Sequence, residues 1–309
     1  IENNLFELWS LFEFLMPGFL GAQAAFQRGV VKPIKDGDDE TLDFLRTRVT
    51  PFILRRTKSE VAKDLPPKIE NVTYCGLVDE QAELYAMLAK KLKEQVLSTV
   101  DKNGIAKSQM SILDALLKLR QICCHVRLLK IDLPGVSTNV PSGKFDAFKD
   151  MVTYIVEEGH RVLVFSQFVQ MLHIIRSWLQ ISGMPFCYLD GSSKDRFDQV
   201  DRFNNSDDIP IFLISLKAGG TGLNLTSADY VIHYDPWWNP AVENQATDRT
   251  HRIGQTRQVF SYKLICKNTV EEKILGLQDA KKGVAESIIP GAEAWKSLSR
   301  EDLEMLFDV

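Results

Sequence analysis

Val162-Leu-Val-Phe-Ser-Gln-Phe168 is the stretch from which the fold can be read. Its first four residues form a short, continuous apolar run, the pattern of a strand buried on both faces. Before it, Phe145, Phe148, Val152 and Ile155 recur at helical spacing, and Leu172, Ile175 and Leu179 do so after it. The alternation then continues. Phe186–Leu189 reads as a strand, Phe197, Val200 and Phe203 as a helix, and Ile211–Ile214 as a strand. Tyr230–Tyr234 reads as a further strand, followed by a helix near 240–252 and a strand over 259–266. Continuous apolar strands alternating with amphipathic helices predict an α/β fold, a parallel sheet with helices on both faces. The strand order is not legible in this pattern.

The first half of the chain is less regular. Residues 1–50 lean toward helix, and the stripe Phe6, Trp9, Phe12, Phe14 is expected to face a core. Pro17-Gly18 and Gly37-Asp38-Asp39 punctuate it, and Pro66-Pro67 interrupts any helix. Residues 69–78 then read as a strand, 79–98 and 109–124 as helices, and Lys130–Ser142 as a loop. One or two helices and an acidic end follow Thr269.

With 45% apolar and 25% charged residues in 309, the chain reads as globular, with a core large enough to fold without disulfides. Its net charge of -4 carries no global signal for nucleic acid. Between Arg46 and Lys68, however, seven Lys/Arg stand against two acids, which reads as a solvated face or as a functional basic patch. Five cysteines without a CxxC spacing fit reduced thiols. Cys123-Cys124-His125 reads as apolar helix positions beside a turn, because no second ligand pair lies nearby. No apolar run reaches membrane-spanning length and no signal peptide is visible, so no membrane is expected as a partner.

The residue chemistry concentrates in Gln245-Ala-Thr-Asp-Arg-Thr-His-Arg-Ile-Gly-Gln255. Asn239 suits an N-cap, Pro240 the first helical position and Glu243 the positive end of the dipole, with Gly254 placed to end the helix. On such a helix Gln245, Asp248, Arg249 and Arg252 share one face. Two guanidiniums, an amide and a carboxylate do not suit an apolar core, but they suit gripping phosphate oxygens. His251 faces away from this set. A surface salt bridge with Asp248 or Glu243 is the structural alternative for the arginines.

Other candidates follow predicted strands, where open parallel sheets bind ligands. Ser166-Gln167 follows one, Gly191-Ser192-Ser193 the next, and Lys217-Ala-Gly-Gly-Thr-Gly222 a third. Glycines let a backbone approach phosphate closely, although such clusters also serve as plain turns. Neither Lys217–Gly222 nor Gly143-Lys144 has the order of a P-loop.

The Gln245–Gln255 run resembles motif VI of the SWI/SNF-type, helicase-like DNA-dependent ATPases. Further stretches match the family in order, from residue 1 to about residue 282. Ile1–Leu15 is similar to the sequence after motif III. Pro51-Phe-Ile-Leu-Arg-Arg-Thr-Lys58 and Asp64-Leu-Pro-Pro-Lys68 resemble the link between two lobes. Leu116-Leu-Lys-Leu-Arg-Gln-Ile-Cys-Cys-His125 and Ser142-Gly-Lys144 resemble the lead into the second lobe. Val162–Phe168 resembles motif IV, Leu216–Leu225 motif V, and Asp235-Pro-Trp-Trp-Asn-Pro240 the approach to motif VI.

The resemblance implies a RecA-like second lobe over 143–268, preceded by a helical remnant of the first lobe (1–50), a linker (51–70) and a strand-and-helix lead-in (71–142). Residues 269–309 would be C-terminal helices. It further implies that Arg252, and second Arg249, reach the phosphates of ATP held by another lobe. Gln245, Asp248, Gly220, Thr221 and Gly222 would lie near the nucleotide. Ser166, Gln167, Ser192, Ser193, Arg196, Lys217 and Trp238 would contact the backbone of double-stranded DNA, which carries no sequence code. Trp237 is expected to pack at the sheet edge.

ATP and Mg²⁺ need a lysine-bearing phosphate cradle and acidic ligands. The family keeps both in the N-terminal lobe, and neither appears here, so this stretch is not expected to hydrolyse ATP alone. It begins without Met inside a family motif, as a portion of a longer protein would. Two other readings remain, a non-catalytic DNA-binding scaffold and an RNA helicase lobe. The compact lobe and short ending resemble bacterial members, implying a cytoplasmic protein.

Overall fold

The computed structural model describes all residues except 1–4, 55, 57–59, 61, 63, 130–139, 220, 221, 238, 286–299 and 309, with backbone only for 35, 106 and 279–285. Gly220, Thr221 and Trp238 therefore lie outside the described residues. The chain forms two units, residues 1–64 with 283–292, and residues 65–282 with 293–309.

In the smaller unit, α1 (Leu5–Leu15) and α2 (Asp39–Val49) enclose the short helical turns Gln23–Phe26, Gln27–Val31 and Lys32–Lys35. Leu5, Leu8 and Phe12 from α1 meet Phe26, Val31 and Ile34, and Leu42, Leu45 and Val49 from α2. The aromatic stripe is only partly a core stripe. Phe12 is buried, whereas Phe14 is 85% exposed, because two residues along a helix turn a side chain to the far side. Asp38 caps α2 by accepting from the Thr41 amide at 3.1 Å and its hydroxyl at 2.7 Å.

The larger unit is built on six strands: β1 (Lys68–Cys75), β2 (Val162–Ser166), β3 (Phe186–Leu189), β4 (Ile211–Ser215), β5 (Tyr230–His233) and β6 (Val259–Cys266). They pair in the order β1-β6-β5-β2-β4-β3, all parallel. β1 joins the sheet along its full length, Lys68 opposite Val259 through Cys75 opposite Cys266.

All five residues of β2 and all five of β4 are buried, and alternation sorts them onto two faces. Val162, Val164, Ile211 and Leu213 pack against α5 (Gly143–Glu157) and α6 (Val169–Ile181), through Phe148, Val152, Ile175 and Leu179. Leu163, Phe165, Phe212 and Ile214 pack against α7 (Arg196–Asn205) and α9 (Pro240–Thr247), through Val200, Phe203 and Ala246. Between them α8 (Leu216–Gly219) is a single turn directly after β4. Each fully buried aliphatic side chain contributes roughly 1.5–3 kcal/mol, so the doubly covered centre dominates the stability of the unit.

A third cluster holds the helical hairpin α3 (Asp79–Asn103) and α4 (Ile105–Cys124) against α10 (Val270–Ala285) and α11 (Arg300–Phe307). Both hairpin helices run longer than their apolar pattern predicts. They meet at Gly104, whose φ of 77° makes the turn in one residue. Ser108 donates back to Gly104 and Thr99 carbonyls at 2.8 and 3.1 Å, closing the turn. Among the described residues, no helix is long and apolar enough to cross a membrane.

Candidate nucleotide and nucleic-acid interface

Because every strand is parallel, the segments after β2, β3, β4 and β5 emerge at one edge of the sheet. Ser166 ends β2, and the sequence candidates Gln167, Ser192, Ser193, Lys217 and Gly222 belong to those segments.

The Ser166 side chain turns inward. It is 1% exposed, and its hydroxyl donates to Asp235, two residues beyond β5. Asp235 also accepts from the Gln167 amide at 3.2 Å and lies 3.7 Å from the Arg120 guanidinium. Burial pushes the Asp235 carboxyl up to about 6, against the pull of Arg120 and the hydrogen bonds from Ser166 and Gln167. Arg120, from α4, donates to Gln167 Oε1 at 3.2 Å and to the Pro236 carbonyl.

The turn after β3 is organised by Asp190. It accepts from the Ser192 amide at 2.8 Å, the Ser192 hydroxyl at 2.7 Å and the Ser193 hydroxyl at 3.2 Å. Burial opposes its ionisation, but these bonds and one from Tyr188 outweigh it and hold the carboxyl down at about 2. Both serine hydroxyls are thus spent on Asp190 in this conformation. Arg196 donates to the Ala218 carbonyl at 2.6 Å, tying α7 to the glycine segment.

The glycine segment and the arginine run are laced together. Gly219 packs on Phe165, where an added Cβ would meet the ring at 2.8 Å. Its carbonyl accepts from Arg249 Nε at 3.1 Å, and Leu225 N–H donates to the Arg249 carbonyl at 3.0 Å. Arg252 donates to the Leu223 carbonyl at 3.3 Å. Lys217 is exposed, and Gly222 takes a φ of 46°.

One expectation is corrected here. The helix does not continue to residue 252. Asn239 caps it as predicted, accepting from Ala241 N–H at 3.0 Å, but α9 ends at Thr247. The Thr247 hydroxyl is tied to His233 Nε2 at 2.9 Å, which pins the helix end to the sheet. Tight turns follow, with Arg249 N–H on the Ala246 carbonyl, Thr250 on Thr247, and Gln255 on Arg252. Gly254, at φ 103°, ends this turn run rather than the helix. Gln245, Asp248, Arg249 and Arg252 therefore do not line one helical face. Gln245 is on α9, Asp248 caps it, Arg249 points inward at 8% exposure, and Arg252 is exposed. Glu243 is buried and paired with Lys263 at 2.6 Å, not with either arginine.

Residues 1–128 fit the SNF2-related domain, and residues 143–254 the helicase conserved C-terminal domain. The solved Sulfolobus solfataricus SWI2/SNF2 ATPase C-terminal domain is 36% identical with a TM-score of 0.61, covering 79% of this chain and 100% of that one. The chain belongs to the SWI2/SNF2 ATPase family. The Sulfolobus solfataricus SWI2/SNF2 ATPase core in complex with double-stranded DNA is 39% identical, with a TM-score of 0.64, over 99% of this chain and 64% of that one. Bacillus subtilis YwqA, a putative ATP-dependent helicase/translocase, is 40% identical over 99% of this chain and 33% of its own length. The chain spans about a third of the length of curated relatives such as this one.

In this SWI2/SNF2 chain several residues matter that pattern reading passes over. Gln255 is buried, and its amide nitrogen reaches the Ala228, Thr226 and Thr250 carbonyls at 2.8, 3.1 and 3.3 Å. It staples the turn run to the segment before β5. Ser142-Gly-Lys144 is a packing device, not a phosphate cradle. Ser142 caps α5, accepting from Phe145 N–H at 3.3 Å. A Cβ on Gly143 would meet the Gly76 carbonyl oxygen at 2.2 Å. Lys144 is fully buried, donating to Glu271 at 2.5 Å and to the Tyr234 and Leu264 carbonyls at 3.2 and 3.1 Å. Cys123, Cys266 and Glu271 bring donor atoms within 4.8 Å of one another, but the Lys144 ammonium already neutralises that carboxylate. His251 Nε2 meets the Pro66 carbonyl at 2.7 Å, a bond within the scaffold. Nothing in local composition marks these partners: those of Lys144 and His251 lie 90 to 185 residues away, and two of the Gln255 carbonyls 27 and 29.

Proposed function

We propose that this chain supplies the second-lobe half of an ATP-driven translocase on double-stranded DNA. The observation that carries it is the lacing of Arg249 and Arg252 to the glycine segment, at the edge where Gln167 and Lys217 also emerge. ATP would be cradled, with its Mg²⁺, by first-lobe residues. Arg252, exposed on a turn, is the group available to stabilise charge on the transferring phosphoryl. Arg249, engaged with Gly219, couples the glycine segment to the arginine turn and ranks second. A nucleotide-driven shift of that turn would move Gly219–Leu223, and with it Lys217 on the DNA side. Gln167, Lys217, Arg196, Ser192, Ser193 and Trp238 would hold the phosphodiester backbone, giving salt-sensitive, sequence-independent binding. Duplex separation is not part of this mechanism, and alone the chain is inactive.

The test uses the intact parent protein. Duplex DNA should stimulate its ATP turnover more than single-stranded DNA or RNA. Arg252→Ala should lower that turnover by roughly 10³–10⁵ while duplex binding persists. Unchanged turnover in Arg252→Ala sinks the arginine-finger role. Stimulation by single-stranded RNA and not duplex DNA would mark an RNA helicase instead.

A further inference from the structure

Arg120 belongs to none of the edge segments described above, yet it organises two of them. It sits on α4 and is 2% exposed. Its guanidinium spans 47 residues of sequence to Gln167 and 116 to Pro236. Nη1 donates to Gln167 Oε1 at 3.2 Å, Nη2 donates to the Pro236 carbonyl, and Asp235 Oδ2 lies 3.7 Å away. Asp235 in turn accepts from the Ser166 hydroxyl and the Gln167 amide. The next residue, Trp237, is held from the other side, its N–H on Glu243 Oε1 at 2.7 Å and its carbonyl on Gln278 Nε2 at 2.5 Å. The segments after β2 and β5 are therefore joined by one planar fork from a helix outside the strand-and-crossover series.

A guanidinium only donates. Facing it, the Gln167 side chain must turn its oxygen toward Arg120 and keep its NH₂ for some other acceptor. The Gln167 side-chain nitrogen, Nε2, is buried and has no acceptor among the described residues. A buried donor in that state is unfavourable and gains when an acceptor arrives. A phosphate oxygen of a nucleic-acid backbone is an acceptor of the right chemistry.

We propose that Arg120 is the positioning residue of the DNA-side edge, orienting the Gln167 side-chain NH₂ as a donor to backbone phosphate and holding Asp235–Trp237 in register with it. The proposal rests on the reading that this edge grips duplex DNA. Lysine keeps the charge but cannot make the bidentate reach.

The test measures ATP turnover of the intact parent protein against duplex DNA concentration. Arg120→Lys should raise the half-saturating DNA concentration about tenfold, while the rate at saturating DNA falls less than about twofold. In a Gln167→Ala background, the same substitution should add less than about twofold, because the two act as one unit. Gln167→Glu still accepts from Arg120 but has no donor, so it should weaken DNA dependence by at least about tenfold with an unchanged melting temperature. This second variant keeps the proposal testable should Arg120→Lys fold poorly. A neutral Gln167→Glu overturns the proposal, as does an Arg120→Lys effect that simply multiplies with Gln167→Ala. Lys217→Ala separates the two levels. If it weakens DNA dependence and the Arg120 and Gln167 variants do not, only the positioning role falls. If none of them changes it, the edge does not grip DNA and the proposal falls with that reading.

Discussion

Replacing Lys144 with methionine should destabilise the larger unit severely, and the structure sets the size of the effect. The ammonium is fully buried, and its 2.5 Å contact is with Glu271, itself fully buried. Burial works against the charge on Lys144, but the attraction of Glu271 outweighs it, so its pKa lies above that of an ordinary lysine. Methionine matches the stem and removes the charge. Glu271 is then a buried carboxylate supported by the Cys266 amide at 2.9 Å, and the Tyr234 and Leu264 carbonyls lose a donor. Breaking a buried pair by removing one partner costs about 3–5 kcal/mol. At about 2–4 °C per kcal/mol for a unit of this size, the melting temperature should fall by roughly 6–20 °C. Urea unfolding followed by circular dichroism measures the loss. The double variant Lys144→Met/Glu271→Leu should recover most of it, because an apolar replacement of a buried pair is close to neutral. A single-variant cost below about 1 kcal/mol, or a double variant no better than the single, would falsify the view that this pair holds β5, β6, α5 and α10 together.

Two further outcomes are expected. Asp235 has a folded pKa of about 6, above its unfolded value near 3.9. Between those values the folded state holds a proton that the unfolded state has shed, so the contribution of this group to stability rises as pH falls from 7 toward 4. Relative to Asp235→Asn, the unsubstituted chain should gain about 1 kcal/mol between pH 7 and pH 5 in urea titrations, and a constant difference refutes the assignment. Gly143→Ala places a Cβ 2.2 Å from the Gly76 carbonyl oxygen, in backbone that cannot step aside cheaply. The expected cost is about 1–3 kcal/mol or more, read as a lower melting temperature; a wild-type melt shows that the loop can give.

On the proposed reading, the electrostatics of the edge bear on how DNA would be held. Asp190 is ionised at neutral pH and lies under Ser192 and Ser193, so that turn presents donors only if it reorganises. Lys217, on the helical turn directly after β4, exposes its side chain in the same region. Lys217 and Gln167, rather than the serine turn, would then be the primary backbone contacts, because phosphate affinity comes chiefly from cations and free donors.

Much of the molecule was legible before folding. Apolar runs such as Val162–Phe165 and Ile211–Ile214 announce strands buried on both faces, since only a doubly covered sheet removes so many consecutive apolar side chains from water. Asn239-Pro240 announces a helix start, because capping is a local event. The motif order from Val162 to Gln255 carries family membership. Contacts between distant segments were not legible. The addition of β1 to the edge beside β6 depends on a pairing that no local pattern encodes. Where α9 stops was decided by His233 holding Thr247, and by Gln255 capturing three carbonyls, not by helical propensity. Arg249 and Arg252 were visible as charged residues three apart, but only the packed turn sends one inward to Gly219 and leaves the other exposed. Periodicity records what each segment wants to bury. Which buried polar groups find each other depends on the whole chain arriving at once, and that is a property of the tertiary structure.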